Sequence, residues 1–133
     1  MTKDELTALA KQAMVNAYAP YSGCKVGAAL LTKGGKVYLG CNIENASFSP
    51  TICAERSAFA AAVSAGEREF AALAVTGGKN GEIRGAFYPC GVCRQVIREF
   101  CADDLPIYVL TDSGIISLTL GDLLPHSFSS EVM

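Results

Sequence analysis

Two short segments of this chain carry cysteines where helices are expected to begin, and they constrain the fold more than any other feature. One is Cys53-Ala54-Glu55-Arg56; the other, residues 89–95, contains Cys90 and Cys93. Three thiolates can hold a zinc ion while its fourth tetrahedral position stays open to water, and a carboxylate two residues after the first ligand can move protons there. The pattern therefore predicts a catalytic centre with one Zn²⁺ per subunit, in which Cys53, Cys90 and Cys93 bind the metal and Glu55 is catalytic.

Three helices are expected from apolar periodicity and from residues typical of helix ends. The first carries apolar residues from Leu6 to Ala17 and is stopped by Pro20. The second covers residues 52–65, and the third covers about 91–101. The cysteine segments then lie in the first turns of the second and third helices. The partial positive charge at a helix start favours thiolate over thiol, which suits metal binding.

Five apolar segments predict strands, over residues 26–32, 36–41, 70–76, 105–110 and 115–118. The first two form a hairpin. The last two are joined by a connection too short for a parallel crossover, so they pair antiparallel. A helix separates the third and fourth strands, which predicts a right-handed βαβ unit with these strands parallel. The expected fold is a single catalytic domain, residues 1–133, of the α/β class, with three α/β/α layers around a mixed five-stranded sheet.

The charge balance limits the classes of partner. Eleven Lys and Arg against thirteen Asp and Glu leave a formal net charge of -2, which argues against a nucleic acid held by clustered cations. A small, weakly charged substrate fits better. Residues 1–12 lack an apolar run, so neither a secretory signal nor a membrane span is expected, and we expect a cytoplasmic protein without a membrane partner.

The six cysteines also admit other interpretations. In a reducing cytosol, metal binding or burial is favoured over disulfides, and Cys24, Cys41 and Cys101 are interpreted as small buried apolar residues. A thioredoxin-like redox pair would leave the segment at Cys53 without a role. A closed structural zinc site needs a fourth ligand, which the lone His126 does not supply.

Arg56 is the residue best placed to balance charge at the metal. Three thiolates on a divalent cation leave one net negative charge, which would weaken the acidity of a bound water, so a nearby cation is expected. The alternative is that Arg56 is a solvated helix residue.

Several segments together resemble the short, homotetrameric cytidine deaminases: Asn42-Ile43-Glu44-Asn45-Ala46, Cys53-Ala54-Glu55-Arg56 and residues 89–95. Segments near both ends of the chain resemble that family in the same order. Zinc deaminases use a metal-activated water, a Glu that is not a ligand, and a Pro-Cys-x-x-Cys signature. The resemblance implies hydrolytic deamination of cytidine and 2′-deoxycytidine to uridine and 2′-deoxyuridine, with release of ammonia, in pyrimidine salvage.

The resemblance also implies roles for substrate-binding residues. Glu55 would take the water proton, deliver it to ring N3 and later protonate the leaving amino group. The main-chain N–H of Ala54 resembles the family's donor to the pyrimidine O2. Asn42 and Glu44 resemble the pair that binds the ribose hydroxyls; without the resemblance, they are equally well turn residues after a strand.

Two aromatic residues imply contacts between subunits. Phe128 resembles an aromatic that reaches into a neighbour's active site, and Phe48 lies where the family often has Tyr beside the subunit junction. These parallels imply a homotetramer with composite active sites. From the residues alone, Phe128 could equally fill the core.

One part of the pocket departs from the family. Cys24 stands where the family usually has a Phe whose ring helps to bind the pyrimidine, and a thiol offers less apolar contact. The Gly-rich stretch that ends in Phe87-Tyr88 is longer and more aromatic than usual. We hypothesise that these aromatics compensate for Cys24; a Cys24→Phe variant with raised cytidine affinity and unaltered turnover would support this, and unchanged affinity would count against it.

Three other functions share some of these sequence features. A deaminase for a blasticidin S-like nucleoside antibiotic would share the zinc motifs but need not retain Asn42 and Glu44. A polynucleotide deaminase fits poorly because the chain lacks a basic strand-binding surface. A non-catalytic, zinc-stabilised binding module would have no need for Glu55.

Overall fold

Five strands form one mixed sheet in the order β2-β1-β3-β4-β5 in the computed structural model, which describes residues 1–133. The strands are β1 Cys24–Thr32, β2 Val37–Cys41, β3 Phe70–Lys79, β4 Pro106–Thr111 and β5 Gly114–Thr119. The helices are α1 Lys3–Met14, α2 Ala54–Ser64, α3 Gly91–Phe100 and α4 Leu120–Leu123, followed by a 3-10 turn at Ser130–Val132.

The strand directions agree with the sequence prediction. β1 pairs antiparallel with both β2 and β3, and β4 pairs antiparallel with β5. β3 and β4, which flank α3, pair parallel from Leu73 opposite Ile107 to Thr76 opposite Leu110. The predicted mixed five-stranded sheet is therefore confirmed.

Helices cover both faces of the sheet, and side-chain alternation along β3 explains why. On one face, Ala72 and Ala74 pack with Leu6 and Ala10 of α1. On the other face, Leu73 and Val75 join the larger core formed with α2 and α3. The small alanines let α1 approach closely, and the larger residues fill the space beneath two helices. The three-layer α/β/α arrangement is confirmed.

Three phenylalanine rings join α2, α3 and the start of β3. Phe59 of α2 lies 5.0 Å from Phe70 and 5.9 Å from Phe100, measured between ring centroids. Such aromatic pairs add to the free energy gained by burying their area. The cluster therefore links the middle of α2 to the C-terminal end of α3.

Two glycines let helices lie directly on the β1–β2 hairpin. A Cβ at Gly40 of β2 would overlap the carbonyl oxygen of Ala54 and the backbone nitrogen of Ala58, both in α2. A Cβ at Gly27 of β1 would overlap Ala10 and Met14 of α1 in the same way. Glycine at these positions sets the depth at which each helix packs.

The structure corrects two predicted boundaries and adds one short helix. β3 continues through Gly77 and Gly78 to Lys79 instead of ending at Thr76, because these residues pair with the start of β1. α1 ends at Met14, before the expected limit at Ala17. The α4 helix, capped by Thr119 and Asp122, was not predicted. None of the helices is long and apolar enough to cross a membrane.

Candidate active site

Two helix N-termini bring the three predicted cysteine ligands together. Cys53 is the N-cap of α2 and Cys90 is the N-cap of α3, each with extended backbone, and neither side chain caps its helix. Cys93 lies in the first turn of α3 and is fully buried. Because the two thiols at the N-caps are not used for capping, their sulfurs are free to face each other.

The spacing of the sulfurs fits a tetrahedral zinc ion. The Sγ atoms of Cys53, Cys90 and Cys93 all lie within 4.8 Å of one another, and the Cys53–Cys90 separation is 3.7 Å. Zn–S bonds of about 2.3 Å at tetrahedral angles place sulfurs about 3.8 Å apart. The same separation is much too long for a disulfide. No other cysteine, histidine or carboxylate joins this cluster, so a fourth position stays open.

Arg56 lies beside the sulfur cluster. Its NH2 group donates a hydrogen bond of 3.4 Å to the Sγ of Cys53. The hydrogen bond from the Cys93 thiol, together with that from Arg56, lowers the pKa of Cys53 to about 5. The same hydrogen bond, together with burial, raises the pKa of Cys93. A cation and a neighbouring donor thus favour thiolate at Cys53.

A cavity of about 280 Å³ opens beside the cysteines. It lies near the lower end of small-molecule sites, which are roughly 300–1,000 Å³. Cys53, Cys90, Ala54 and Glu55 line one side. The remaining lining residues are Ser22, Cys24, Val26, Asn42, Glu44, Thr51, Ile52, Phe87 and Tyr88.

Glu55 lies against this cavity with only 3% of its surface exposed. Burial raises the pKa of its carboxyl group to about 7. The main-chain N–H of Ala54 is at the first position of α2, where no partner exists within the helix. A carboxyl group and an unused N–H donor therefore face the same space as the sulfurs.

Asn42 and Glu44 both line the cavity, and both are held by the backbone before β1 or at its start. The side-chain Oδ1 of Asn42 accepts from the N–H of Val26 at 2.8 Å, and its Nδ2 donates to the carbonyl of Cys24 at 2.8 Å. The carboxylate of Glu44 accepts from Tyr21 and Ser22, and the hydrogen bond from the Ser22 side chain lowers its pKa. These polar groups have fixed orientations.

Cys24 lines the cavity together with Phe87 and Tyr88, the two aromatics proposed to compensate for it. Phe87 and Tyr88 are the only aromatic side chains among the lining residues. Phe87 packs on Gly77, where an added Cβ would lie 2.9 Å from the ring. The absence of a side chain at Gly77 therefore lets the ring of Phe87 lie close to the sheet, in the cavity that Cys24 also lines.

Phe128 and Phe48 do not line the cavity in the single chain. Phe128 is 62% exposed, and its carbonyl accepts a hydrogen bond from Gln95. Phe48 is 79% exposed and lines a neighbouring depression of about 390 Å³ with Tyr21 and Glu44. Neither ring fills the core, which excludes the core interpretation of Phe128.

Two residues without a predicted role also shape the site. Ser22 lines the cavity and donates a hydrogen bond to Glu44, which is 22 positions away along the chain and so gives no local sequence signal. Arg94 donates to the carbonyls of Pro89 and Leu123 at 2.7 Å each, which holds the segment before Cys90. The remaining cysteines, Cys24, Cys41 and Cys101, are half-buried and stay outside the metal cluster.

Comparison with known proteins assigns the family. Residues 1–109 match the model described as the cytidine and deoxycytidylate deaminase zinc-binding region. A protein named cytidine deaminase from Sporosarcina psychrophila is 49% identical over 98% of this chain and 94% of its own length. The crystal structure of cytidine deaminase from Burkholderia pseudomallei superposes with a TM-score of 0.89 at 47% identity, covering 96% of this chain and 100% of that one. A blasticidin-S deaminase from Bacillus cereus is more distant, at 31% identity over 78% of this chain and 76% of its own length. The chain therefore belongs to the cytidine and deoxycytidylate deaminase zinc-binding family.

Proposed function

We propose that this protein is a cytidine deaminase that hydrolyses cytidine and 2′-deoxycytidine to uridine and 2′-deoxyuridine and releases ammonia. The observation that carries the proposal is the position of Glu55, a buried carboxyl group that faces the same cavity as the open side of a three-cysteine cluster. Relatives named cytidine deaminase, at 49% and 44% identity, support the same substrate class. The blasticidin-type alternative is less well supported, because its representative is only 31% identical.

The metal centre uses Cys53, Cys90 and Cys93 as ligands of one zinc ion per subunit. Their spacing and the family's zinc-binding region support this assignment. When bound, zinc lowers the pKa of a coordinated water so that a nucleophile is available at neutral pH. Arg56 offsets the net negative charge of three thiolates through its hydrogen bond to Cys53.

Glu55 moves the protons in the reaction. In the proposed sequence, its carboxylate accepts the proton of the attacking water and delivers it to ring N3, which makes C4 electrophilic. It then takes the second proton of the added water from the hydroxyl group on C4 and passes it to the departing amino group. The C4–N bond breaks as C4=O forms and ammonia leaves, so one residue acts in turn as base and acid. Its position beside the cysteines in an almost closed part of the cavity supports both steps.

The other cavity residues hold the nucleoside. The N–H of Ala54 is available to the pyrimidine O2, which would fix the ring with C4 toward the cysteines. Asn42 and Glu44 bind the ribose hydroxyls. Each retains hydrogen-bonding capacity beyond its contacts in the chain, since an amide has two N–H donors and a carboxylate has about four acceptor sites.

The active enzyme is a homotetramer with composite sites. The exposure of Phe48 and Phe128 leaves both rings available for contacts with neighbouring chains. In this arrangement, Phe128 closes a neighbour's cavity and Phe48 lies at the subunit junction. Residues 1–133 form one catalytic domain that acts in pyrimidine salvage. Six unpaired cysteines support a reducing, cytoplasmic location.

The test is ammonia release from cytidine by zinc-replete protein, compared with the Glu55→Gln variant. Parent protein should release ammonia, whereas Glu55→Gln should bind zinc and be inert. Glu99→Gln is a matched control, because Glu99 is exposed on α3 and away from the cavity. An equally active Glu55→Gln variant would refute the assignment of Glu55.

The same assay separates the alternatives. A zinc-loaded parent that releases no ammonia from cytidine but does so from blasticidin S would point to the antibiotic. A non-catalytic module would be indicated by two results together. The zinc-loaded parent would release ammonia from neither compound, and the Glu55→Gln variant would match the parent in stability and ligand binding.

A further inference from the structure

The hydroxyl group of Ser22 joins two parts of the cavity wall. It donates a hydrogen bond of 2.5 Å to Oε2 of Glu44 and accepts one of 3.0 Å from the N–H of Cys24. The N–H groups of Tyr21 and Ser22 donate to Oε1 of Glu44 at 2.9 and 3.1 Å. Both carboxylate oxygens are therefore held by one two-residue segment.

Asn42 holds two residues that follow this segment, Cys24 and Val26. Its amide bonds to the carbonyl of Cys24 and to the N–H of Val26, both at 2.8 Å. The backbone of Cys24 is thus fixed at its N–H by Ser22 and at its carbonyl by Asn42. Ser22, Cys24, Val26, Asn42 and Glu44 all line the cavity. The side chains assigned to the sugar and the cavity wall at Cys24 form a single hydrogen-bonded unit.

We propose that Ser22 is a positioning residue that orients the carboxylate of Glu44 toward the sugar hydroxyls of the substrate. This inference rests on the proposed function. A carboxylate has about four acceptor sites, and the three bonds from residues 21 and 22 occupy most of them. The acceptor site of Glu44 that stays free is then directed toward the ligand. Without the Ser22 hydroxyl, Glu44 keeps only its bonds to Oε1, and Oε2 is free to bind water.

The bond from Ser22 is short and its acceptor is charged, which is the stronger class of hydrogen bond. Its loss should therefore matter for affinity more than for the chemical step, since Ser22 forms no hydrogen bond with Glu55 or with the proposed metal ligands Cys53, Cys90 and Cys93. Ser22→Ala is expected to raise the KM for cytidine by about tenfold and to leave kcat within about twofold.

The decisive experiment compares cytidine with 2′,3′-dideoxycytidine, which lacks the hydroxyls that Glu44 would bind. Steady-state kinetics are measured for the parent, Ser22→Ala and Ser22→Thr. Ser22→Ala should lower kcat/KM for cytidine by about tenfold and leave kcat/KM for the dideoxy substrate unchanged. Ser22→Thr, which retains a hydroxyl at an exposed position, should restore cytidine kinetics. Ser113→Ala is the matched control, because the Ser113 side chain forms no hydrogen bond in the turn between β4 and β5.

The outcomes separate this inference from the function on which it rests. If Ser22→Ala loses activity equally on both substrates, Ser22 supports the fold of the cavity wall and the inference is wrong. If neither substrate is affected, Ser22 does not position Glu44, and the inference is wrong although the proposed function stands. If the zinc-loaded parent does not deaminate cytidine at all, the proposed function fails and removes the basis of the inference.

Discussion

Gly40→Ala is expected to move the catalytic helix without altering any residue of the site. A Cβ at Gly40 would overlap the carbonyl of Ala54 and the nitrogen of Ala58, and would lie 3.0 Å from the Ala58 Cα. These are backbone atoms, so relief requires α2 to move away from β2. The displacement should be on the order of 1 Å, and misplacement of this size can cost about 100-fold in rate. Overpacking of this kind should also cost about 1–3 kcal/mol of stability.

Gly27→Ala is the matched control for this prediction. Its Cβ would overlap Ala10 and Met14, so it moves α1, which lies on the opposite face of the sheet. Both variants should unfold at lower denaturant concentration, measured by circular dichroism. Only Gly40→Ala should lose about 100-fold in kcat/KM for cytidine and bind zinc more weakly. Equal losses of activity in both variants, or a fully active Gly40→Ala, would refute the view that the depth of α2 sets the geometry of the site.

Two further predictions concern the pocket and the metal. Cys24→Phe should lower the KM for cytidine by about two- to tenfold with unchanged kcat, because a third aromatic would join Phe87 and Tyr88 at the cavity. Steady-state kinetics test this, and an unchanged KM would contradict the idea that these aromatics compensate for Cys24. Removal of zinc by a chelator should lower the melting temperature, since zinc in 100-fold excess over its Kd stabilises the fold by about 2.7 kcal/mol. Zinc but not magnesium should restore the melting temperature, and a transition that is insensitive to the chelator would argue against a metal that joins α2 and α3.

The helices that bear the cysteines could be predicted because their signals are local. Apolar periodicity and Gly66 define α2, and the run from Val92 to Phe100 defines α3. Once both helix starts were predicted, the hypothesis of one zinc ion shared by Cys53, Cys90 and Cys93 required them to meet. The strand pairing followed from connection lengths, because the two residues between β4 and β5 permit only an antiparallel turn.

The remaining features depend on contacts between distant segments. Gly77 and Gly78 are typical of a loop in sequence, yet they extend β3 because they pair with the start of β1. Position 78 requires glycine because a Cβ there would overlap the carbonyl of Glu82 in the loop that folds back over the strand. The short α4 carries a capping signal, Thr119 with Asp122, but four residues are too few to show periodicity. Nothing local to Ser22 indicates its bond to Glu44.

The location of the site follows from the topology of the sheet. Residues 65–69 join the end of α2 to the start of β3, so α2 begins toward the end where β3 finishes, and α3 begins after that same end. β1 is antiparallel to β3 and starts there, while β2 is antiparallel to β1 and finishes there. Cys53, Cys90, Cys24 and Asn42 are therefore brought to one edge by chain direction alone. The helix starts hold the metal ligands and the connecting segments supply the pocket wall, so changes in residues 80–88 should alter which base binds while the spacing of the sulfurs is retained.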